Sequence, residues 1–199
     1  MLVFGLTGGI ASGKSTVTKT FLANNIPMVD ADLIARDVVA PGTKTLSLIV
    51  DIFGPQYLLD DGTLDRVNFG KMAFADKNIL ARVTSIMMPV IQQEADARIS
   101  KLKSEGHELV GYDAALICEQ GNADNYRPLI VVACPTTLQV SRLMKRNSLT
   151  EAEAMHRIEA QMPTEQKIKL ANFVIDSSGT IENSVQQTVE VIKILRSMI

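Results

Sequence analysis

The chain has 199 residues, of which 46% are hydrophobic and 21% charged, a composition typical of a globular protein that can bury a sizeable core. Its formal net charge of −2 gives no reason to expect a nucleic acid or a membrane surface as a partner. No apolar run reaches the roughly 20 residues that cross a bilayer, and we expect no signal peptide.

The first predicted elements are a strand, a glycine-rich loop and a helix. Residues 2–6 form an apolar run typical of a buried strand, and residues 14–25 place apolar side chains on one helical face. Between them, residues 8–15 carry the pattern Gly-x-x-x-x-Gly-Lys-Ser, which we call the phosphate loop. Its glycines allow backbone N–H groups to turn toward phosphate oxygens, and the positive end of the helix dipole points at the same place.

The phosphate loop predicts a nucleoside-triphosphate site. Lys14 would reach the β- and γ-phosphates, and the Ser15 hydroxyl would bind the Mg²⁺ that bridges them. The predicted nucleotide-binding residues of this segment are Gly9, Ile10, Ala11, Ser12, Gly13, Lys14, Ser15 and Thr16. An ordinary glycine turn with a capping Ser12 would not explain why every position of the pattern is filled, and the glycine spacing does not match a dinucleotide-binding loop.

Further along the chain, apolar strand-like runs alternate with helical patterns. Strands are predicted at 27–29, 108–112, 129–134 and 173–175, and helices at 31–40, 43–53, 65–104, 136–147, 150–161, after Pro163 and at 181–198. Pro89 should kink or interrupt the long helical stretch. Because the strands are continuous apolar runs, we predict a single α/β domain, residues 1–199, with a doubly wound parallel sheet. Ligands are then expected at the carboxyl ends of the strands.

Two aspartates follow the second predicted strand. Asp30 could cap the next helix, and Asp32 could pair with Arg36 one turn later. The functional interpretation is that a carboxylate orients an acceptor hydroxyl and takes its proton, a role we assign to Asp32.

An arginine-rich corner follows the strand at 129–134. Arg142 and Arg146 are four residues apart and share a helix face. A capping box, either Thr150 with Glu153 or Ser148 with Glu151, would start the next helix. Two helices joined at such a corner predict a mobile lid over about 136–165, which would bring guanidinium groups onto the transferring phosphate, although a solvated cationic face would have the same pattern.

The two cysteines, Cys118 and Cys134, lie in apolar runs without the spacing of a metal or redox site. We therefore expect buried free thiols and a cytoplasmic protein.

These segments together resemble the dephospho-CoA kinase family over nearly the full length of the chain. The segments that carry the resemblance are residues 5–10 running into 12–16, Asp30 to Asp32 with Ala35 and Arg36, Leu64 to Arg66, Gln139 with Arg142 and Arg146, Ile158 with Ala160 and Gln161, and Ala171 with 174–176. The phosphate loop alone would fit many kinases, so the combination is what makes the resemblance selective.

The resemblance implies a nucleoside-monophosphate-kinase-like P-loop fold with a helical acceptor-binding region at about 60–105 and the lid. It implies transfer of the ATP γ-phosphoryl group to the ribose 3′-hydroxyl of dephospho-coenzyme A, with Mg²⁺ as cofactor and these two small molecules as partners. Lys14, Asp32 and Arg142 would be catalytic, and Arg142 and Arg146 would also contact ATP. The backbone before Gly179 would lie against adenine. The candidate acceptor residues are Asp32, Arg36, Arg66 and Glu119.

The chain departs from the family's usual pattern at three places. Ala115 stands where a proline is usual, Met88 where a histidine precedes the helix proline, and Ser177 with Ser178 where asparagine is common. None of these positions belongs to the predicted phosphoryl-transfer residues, so the departures concern the binding of the acceptor.

Three alternatives remain open at this point. The chain could phosphorylate another small acceptor, such as a nucleoside monophosphate or shikimate. It could be a nucleotide-dependent switch, although Tyr112 to Leu116 contain no Asp-x-x-Gly and no guanine-binding Asn-Lys-x-Asp occurs. It could also be an inactive scaffold, although Lys14, Ser15 and Asp32 are all present.

Overall fold

The computed structural model describes residues 1–199 and contains one five-stranded sheet with the strand order β2-β3-β1-β4-β5. All four strand pairs are parallel. The strands are β1 (Leu2–Gly8), β2 (Met28–Asp30), β3 (Leu109–Asp113), β4 (Leu129–Ala133) and β5 (Phe173–Asp176). The predicted doubly wound α/β class is confirmed.

Nine α-helices connect and flank the strands. They are α1 (Lys14–Ala23), α2 (Ala31–Asp37), α3 (Lys44–Phe53), α4 (Arg66–Ala75), α5 (Lys77–Ser104), α6 (Thr136–Asn147), α7 (Glu151–Glu159), α8 (Thr164–Leu170) and α9 (Ile181–Arg196). Two short 3-10 helices, Pro55–Tyr57 and Ala123–Tyr126, were not predicted. No helix combines the length and apolar character needed to cross a membrane.

The chain divides into two compact units, and the first contains the sheet. It comprises residues 1–30 and 101–199. Its core is an apolar cluster in which β1, β4 and β5 pack against α1 and α9, and in which Phe4 and Phe21 have ring centroids 4.7 Å apart. The three central strands, β1, β3 and β4, are buried along almost their whole length, as the continuous apolar runs predicted, whereas the edge strands β2 and β5 are partly exposed.

The second unit, residues 31–100, is helical. The ring of Phe69 lies edge-on against Phe53 and Tyr57, with centroids 5.6 and 5.5 Å away. The predicted helical stretch at 65–104 consists of two helices, because Asp76 adopts an extended conformation between α4 and α5.

α5 is one continuous helix of 28 residues that includes Pro89, so the predicted interruption is wrong, while the alternative of a kink at Pro89 stays a prediction. Proline removes one helical N–H donor and crowds the carbonyl group of the preceding turn, but Pro89 is exposed, and packing at Val83, Ile91 and Ala95 holds both sides of the helix.

Replacing Pro89 with alanine should therefore stabilise the chain. We expect Pro89→Ala to raise the free energy of unfolding by about 1–2 kcal/mol, since the recovered backbone hydrogen bond outweighs the added chain entropy of the unfolded state. Urea denaturation would measure the change, with the exposed α5 substitution Ser85→Ala as a control. A loss of stability in Pro89→Ala would mean that the helix needs its proline.

Candidate active site

The carboxyl edge of the sheet brings the phosphate loop beside a buried aspartate. β1 leads directly into the loop at Gly8, and β3 ends at Asp113. The strand register pairs Asp113 with Leu6 on one side and with Asp30 on the other. Only 3% of Asp113 is exposed, so its carboxylate needs polar partners at this edge.

Those partners come from the first helix after the loop. The Lys14 ammonium group donates to Oδ1 of Asp113, and the Thr18 hydroxyl donates to Oδ2 over 2.6 Å. Lys14 and Thr18 are four residues apart on α1, so one helix face supplies both donors. The ion pair holds the Lys14 side chain at the mouth of the loop, where a triphosphate could compete for it.

The loop itself has the backbone conformation of an anion cradle. Ala11 and Gly13 have φ angles of 59° and 90°, and Gly13 immediately precedes α1. The first N–H groups of α1 therefore face the loop without a side-chain cap, so Ser12 does not cap the helix. A Cβ atom at Gly8 would lie 2.7 Å from the Val132 carbonyl oxygen and 2.6 Å from Ser12 Oγ, so only glycine fits there.

Three consecutive loop carbonyl groups accept hydrogen bonds from side chains outside the loop. The pairs are Ile10 with Gln139, Ala11 with Arg142, and Ser12 with Ser177. In a trans peptide the carbonyl group and the following N–H group point in opposite directions. These contacts therefore turn the N–H groups of Ala11 and Gly13 away from the neighbouring elements. The Ile10 N–H group is an exception, because it donates to Gln161.

The two predicted lid arginines have different environments. Arg142 is half-buried and donates to the Ser177 carbonyl oxygen over 2.6 Å and to Ser177 Oγ over 3.2 Å. Arg146 is exposed and contacts the side chain of Asn147. The capping box of the next helix is formed by Thr150 and Glu153, as one of the two predicted options. A direct contact of either arginine with phosphate stays a prediction.

A cavity of about 270 Å³ adjoins the helical end of the phosphate loop. It is lined by Gly13, Thr16, Arg142, Ser177, Gly179, Thr180, Ile181 and Ser184. The predicted adenine-side segment before Gly179 is thus beside the predicted phosphate site.

Glu119, a predicted acceptor residue, is engaged in a buried ion pair. Its Oε1 atom accepts from Lys167 Nζ over 2.8 Å and from the Met162 N–H group over 3.0 Å. Lys167 is fully buried and also donates to the Ala115 carbonyl group. The contact uses the backbone oxygen of Ala115 and not its side chain. The acceptor role of Glu119 stays a prediction.

The other candidate acceptor residues lie in the helical unit. Arg66 donates from Nη2 to the Arg36 carbonyl oxygen over 3.0 Å. Partial burial, and then the positive charge of Arg36, lower the pKa of the Arg66 guanidinium group. The Asp37 carboxylate raises this pKa in turn, so two guanidinium groups and one carboxylate act on the region, whose net positive charge favours an anion. Asp32 is exposed, two residues beyond the end of β2.

Both cysteines are buried free thiols, as predicted. Burial raises the pKa of Cys118 and of Cys134, which keeps the thiols protonated and unreactive.

Asp113 and Gln161 are functional candidates that the sequence interpretation did not assign. Asp113 directly follows the predicted strand at 108–112, so the sequence already indicated that it lies at the carboxyl edge of the sheet, where ligands bind. Gln161 belongs to the segments that carry the family resemblance, but nothing in its local pattern indicated a contact with a loop 151 residues earlier.

Comparison with known proteins gives one consistent result. The sequence model of the dephospho-CoA kinase family matches residues 2–183. A dephospho-CoA kinase of Carboxydothermus hydrogenoformans is 39% identical over 191 residues, which cover 96% of this chain and 93% of that protein. A protein of Thermus thermophilus of known crystal structure has a TM-score of 0.86 at 27% identity, covering 96% of this chain and 95% of that one. Dephospho-CoA kinase from Campylobacter jejuni has a TM-score of 0.71 at 26% identity, with the same coverage.

The buried pair of Lys167 and Glu119 yields a stability prediction. Lys167→Met should lower the free energy of unfolding by about 3 kcal/mol, because it leaves the largely buried Glu119 carboxylate without its counter-ion. Urea denaturation measures the loss, and the double variant Lys167→Met with Glu119→Gln should recover part of it. A loss below about 1 kcal/mol in the single variant would contradict a structural role for the pair.

Proposed function

The chain belongs to the dephospho-CoA kinase family, and on that premise we propose that it transfers the ATP γ-phosphoryl group to the ribose 3′-hydroxyl of dephospho-coenzyme A, yielding coenzyme A and ADP. The observation that supports this proposal most strongly is the phosphate loop with Lys14 held beside it by Asp113. The absence of the Asp-x-x-Gly and guanine-binding Asn-Lys-x-Asp motifs favours a small-molecule kinase over a nucleotide-dependent switch.

The triphosphate would lie along the phosphate loop toward the start of α1. The N–H groups of Ala11 and Gly13 and those of the first helical turn supply donors for its oxygens. Lys14 exchanges its contact with Asp113 for the β- and γ-phosphates and stabilises the charge that develops during transfer. The adenosine moiety would occupy the cavity of about 270 Å³ bordered by Thr16, Gly179 and Ile181.

The residues at the sheet edge fit a magnesium ion that arrives with the nucleotide. No cluster of three or more His, Cys, Asp or Glu side chains could hold a metal without help. Mg²⁺ commonly takes only one or two protein oxygens and several from phosphates and water. Ser15 is exposed at the second residue of α1 and supplies a hydroxyl, and Asp113 supplies a carboxylate once Lys14 has left it. Bound there, the ion would neutralise charge on the β- and γ-phosphates.

The acceptor would be held by the helical unit. Arg36 and Arg66 form the positive region that suits the diphosphate group of dephospho-coenzyme A. Asp32, two residues after the end of β2, would accept the proton of the attacking hydroxyl. Arg142 borders the nucleotide cavity and would stabilise the transferring phosphate when the lid closes, with Arg146 on the same helix.

A panel of acceptors tests the reaction directly. Coupled ADP release with dephospho-coenzyme A, shikimate and nucleoside monophosphates should show turnover with dephospho-coenzyme A alone. Turnover with a monophosphate but not with dephospho-coenzyme A would overturn the assignment. We also propose a cytoplasmic location, which the two free buried thiols support.

Lys14→Ala should lower kcat by about 10²–10³-fold, since one preorganised charge contact in the transition state is worth about 3–4 kcal/mol. Steady-state kinetics with dephospho-coenzyme A measures the loss. Lys19→Ala, which removes an exposed lysine from the same helix, is the matched control and should keep its activity. Unchanged turnover in Lys14→Ala would rule out the phosphate-loop assignment.

Asp32→Asn should lower kcat by about 10²-fold while leaving the KM for ATP within about threefold, because it removes a proton acceptor and no contact to the nucleotide. Asp51→Asn, on an exposed position of α3, is the control. Full activity in Asp32→Asn would show that this carboxylate has only a structural role.

A further inference from the structure

The backbone of Ile10 is held by two glutamine side chains, an arrangement we call the Ile10 clamp. The Ile10 N–H group donates to Gln161 Oε1 over 2.6 Å, and Gln139 Nε2 donates to the Ile10 carbonyl oxygen over 2.8 Å. The orientation of each carboxamide is fixed by chemistry, since an N–H group only donates and a carbonyl oxygen only accepts. Gln139 is almost fully buried, with 2% of its surface exposed.

The two glutamines come from both ends of the lid. Gln139 lies on α6, and Gln161 follows α7 by two residues. Between them Val140, Leu143 and Ala154 form an apolar cluster, against which Ile10 and Ala11 pack. The phosphate loop is therefore joined to the lid by two directional bonds and by apolar contact.

The close approach of Gln139 depends on the small residue next to Ile10. A Cβ atom at Gly9 would lie 2.5 Å from Gln139 Nε2, so any larger residue would displace the carboxamide. Gly9 is thus required for the clamp in addition to any contact with phosphate.

The clamp fixes two successive peptide planes of the loop. Gln161 sets the plane between Gly9 and Ile10, and Gln139 sets the plane between Ile10 and Ala11. Because the second carbonyl group faces Gln139, the Ala11 N–H group must face the opposite side. A peptide plane without such partners can rotate, and a displaced donor weakens stabilisation of the transferring group.

We infer that Gln139 and Gln161 are positioning residues, which hold the Ala11 N–H group toward the triphosphate and couple the loop to the lid. This inference rests on the proposed function for its reaction. It requires that Gln139 act as a donor and Gln161 as an acceptor, so substitution by glutamate should impair position 139 and spare position 161, whereas leucine should impair both.

Glutamate and leucine substitutions distinguish the two roles. Gln161→Glu keeps an acceptor oxygen and should keep kcat within about threefold, whereas Gln161→Leu should lose about tenfold or more. At position 139 both Gln139→Glu and Gln139→Leu should lose about tenfold or more, because a carboxylate cannot donate to the Ile10 carbonyl group. The affinity for ADP should stay within about threefold in the two leucine variants, since the N–H groups of the first helical turn are untouched and no charge is added beside the loop.

A glutamine elsewhere offers a matched control. Gln187 holds the backbone N–H and carbonyl groups of Asp176 with bonds of 2.9 and 2.8 Å, away from Ile10. Gln187→Leu should lose thermal stability like the clamp variants but keep kcat within about threefold. Steady-state kinetics, ADP titration calorimetry and thermal melts provide the three measurements.

The inference is overturned if Gln161→Leu retains kcat, if Gln161→Glu is as impaired as Gln161→Leu, or if kcat follows the melting temperature across all variants including Gln187→Leu. ADP formation without an acceptor is measured in parallel. If the unsubstituted protein fails to phosphorylate dephospho-coenzyme A, the proposed function fails, while the pattern of ATP hydrolysis across the variants still decides for or against the clamp.

Discussion

The site depends on one buried ion pair, between the first residue of α1 and the last residue of β3. A carboxylate as buried as Asp113 is costly unless charged or hydrogen-bonding groups satisfy it, and Lys14 and Thr18 do so from one face of α1. The parallel register that places β3 next to β1 is what brings them together. Lys14 is consequently held at the start of α1, and in the proposed reaction a phosphate would compete with Asp113 for it.

The phosphate loop is supported from two sides by elements distant in the sequence. Gln139, on α6, and Gln161, after α7, hold the backbone of Ile10, and Ser177, after β5, contacts the carbonyl group of Ser12. Side chains from other elements thereby hydrogen-bond to the loop carbonyl groups, which leaves loop N–H groups available for an anion. Hydrogen bonds from other elements to the loop backbone thus hold this glycine-rich segment in its conformation.

The sequence predicted the features that depend on local pattern. The phosphate loop and the capping box at Thr150 each follow from residues within one short segment, and the parallel sheet follows from short apolar runs that alternate with helical patterns. The contacts of Asp113 with Lys14 and of Glu119 with Lys167 join residues far apart in the chain, so no local pattern could reveal them. The interruption predicted at Pro89 was wrong for a related reason, because local propensity yields to the packing that holds both sides of α5.

The central claim is that the phosphate loop holds ATP in line with the 3′-hydroxyl of dephospho-coenzyme A. A crystal structure with a non-hydrolysable ATP analogue and dephospho-coenzyme A would test it most directly. The account predicts that Lys14 Nζ leaves Asp113 and lies about 3 Å from a β- or γ-phosphate oxygen, with Asp32 within hydrogen-bonding distance of the 3′-hydroxyl. A triphosphate bound elsewhere, with Lys14 still paired to Asp113, would contradict the account.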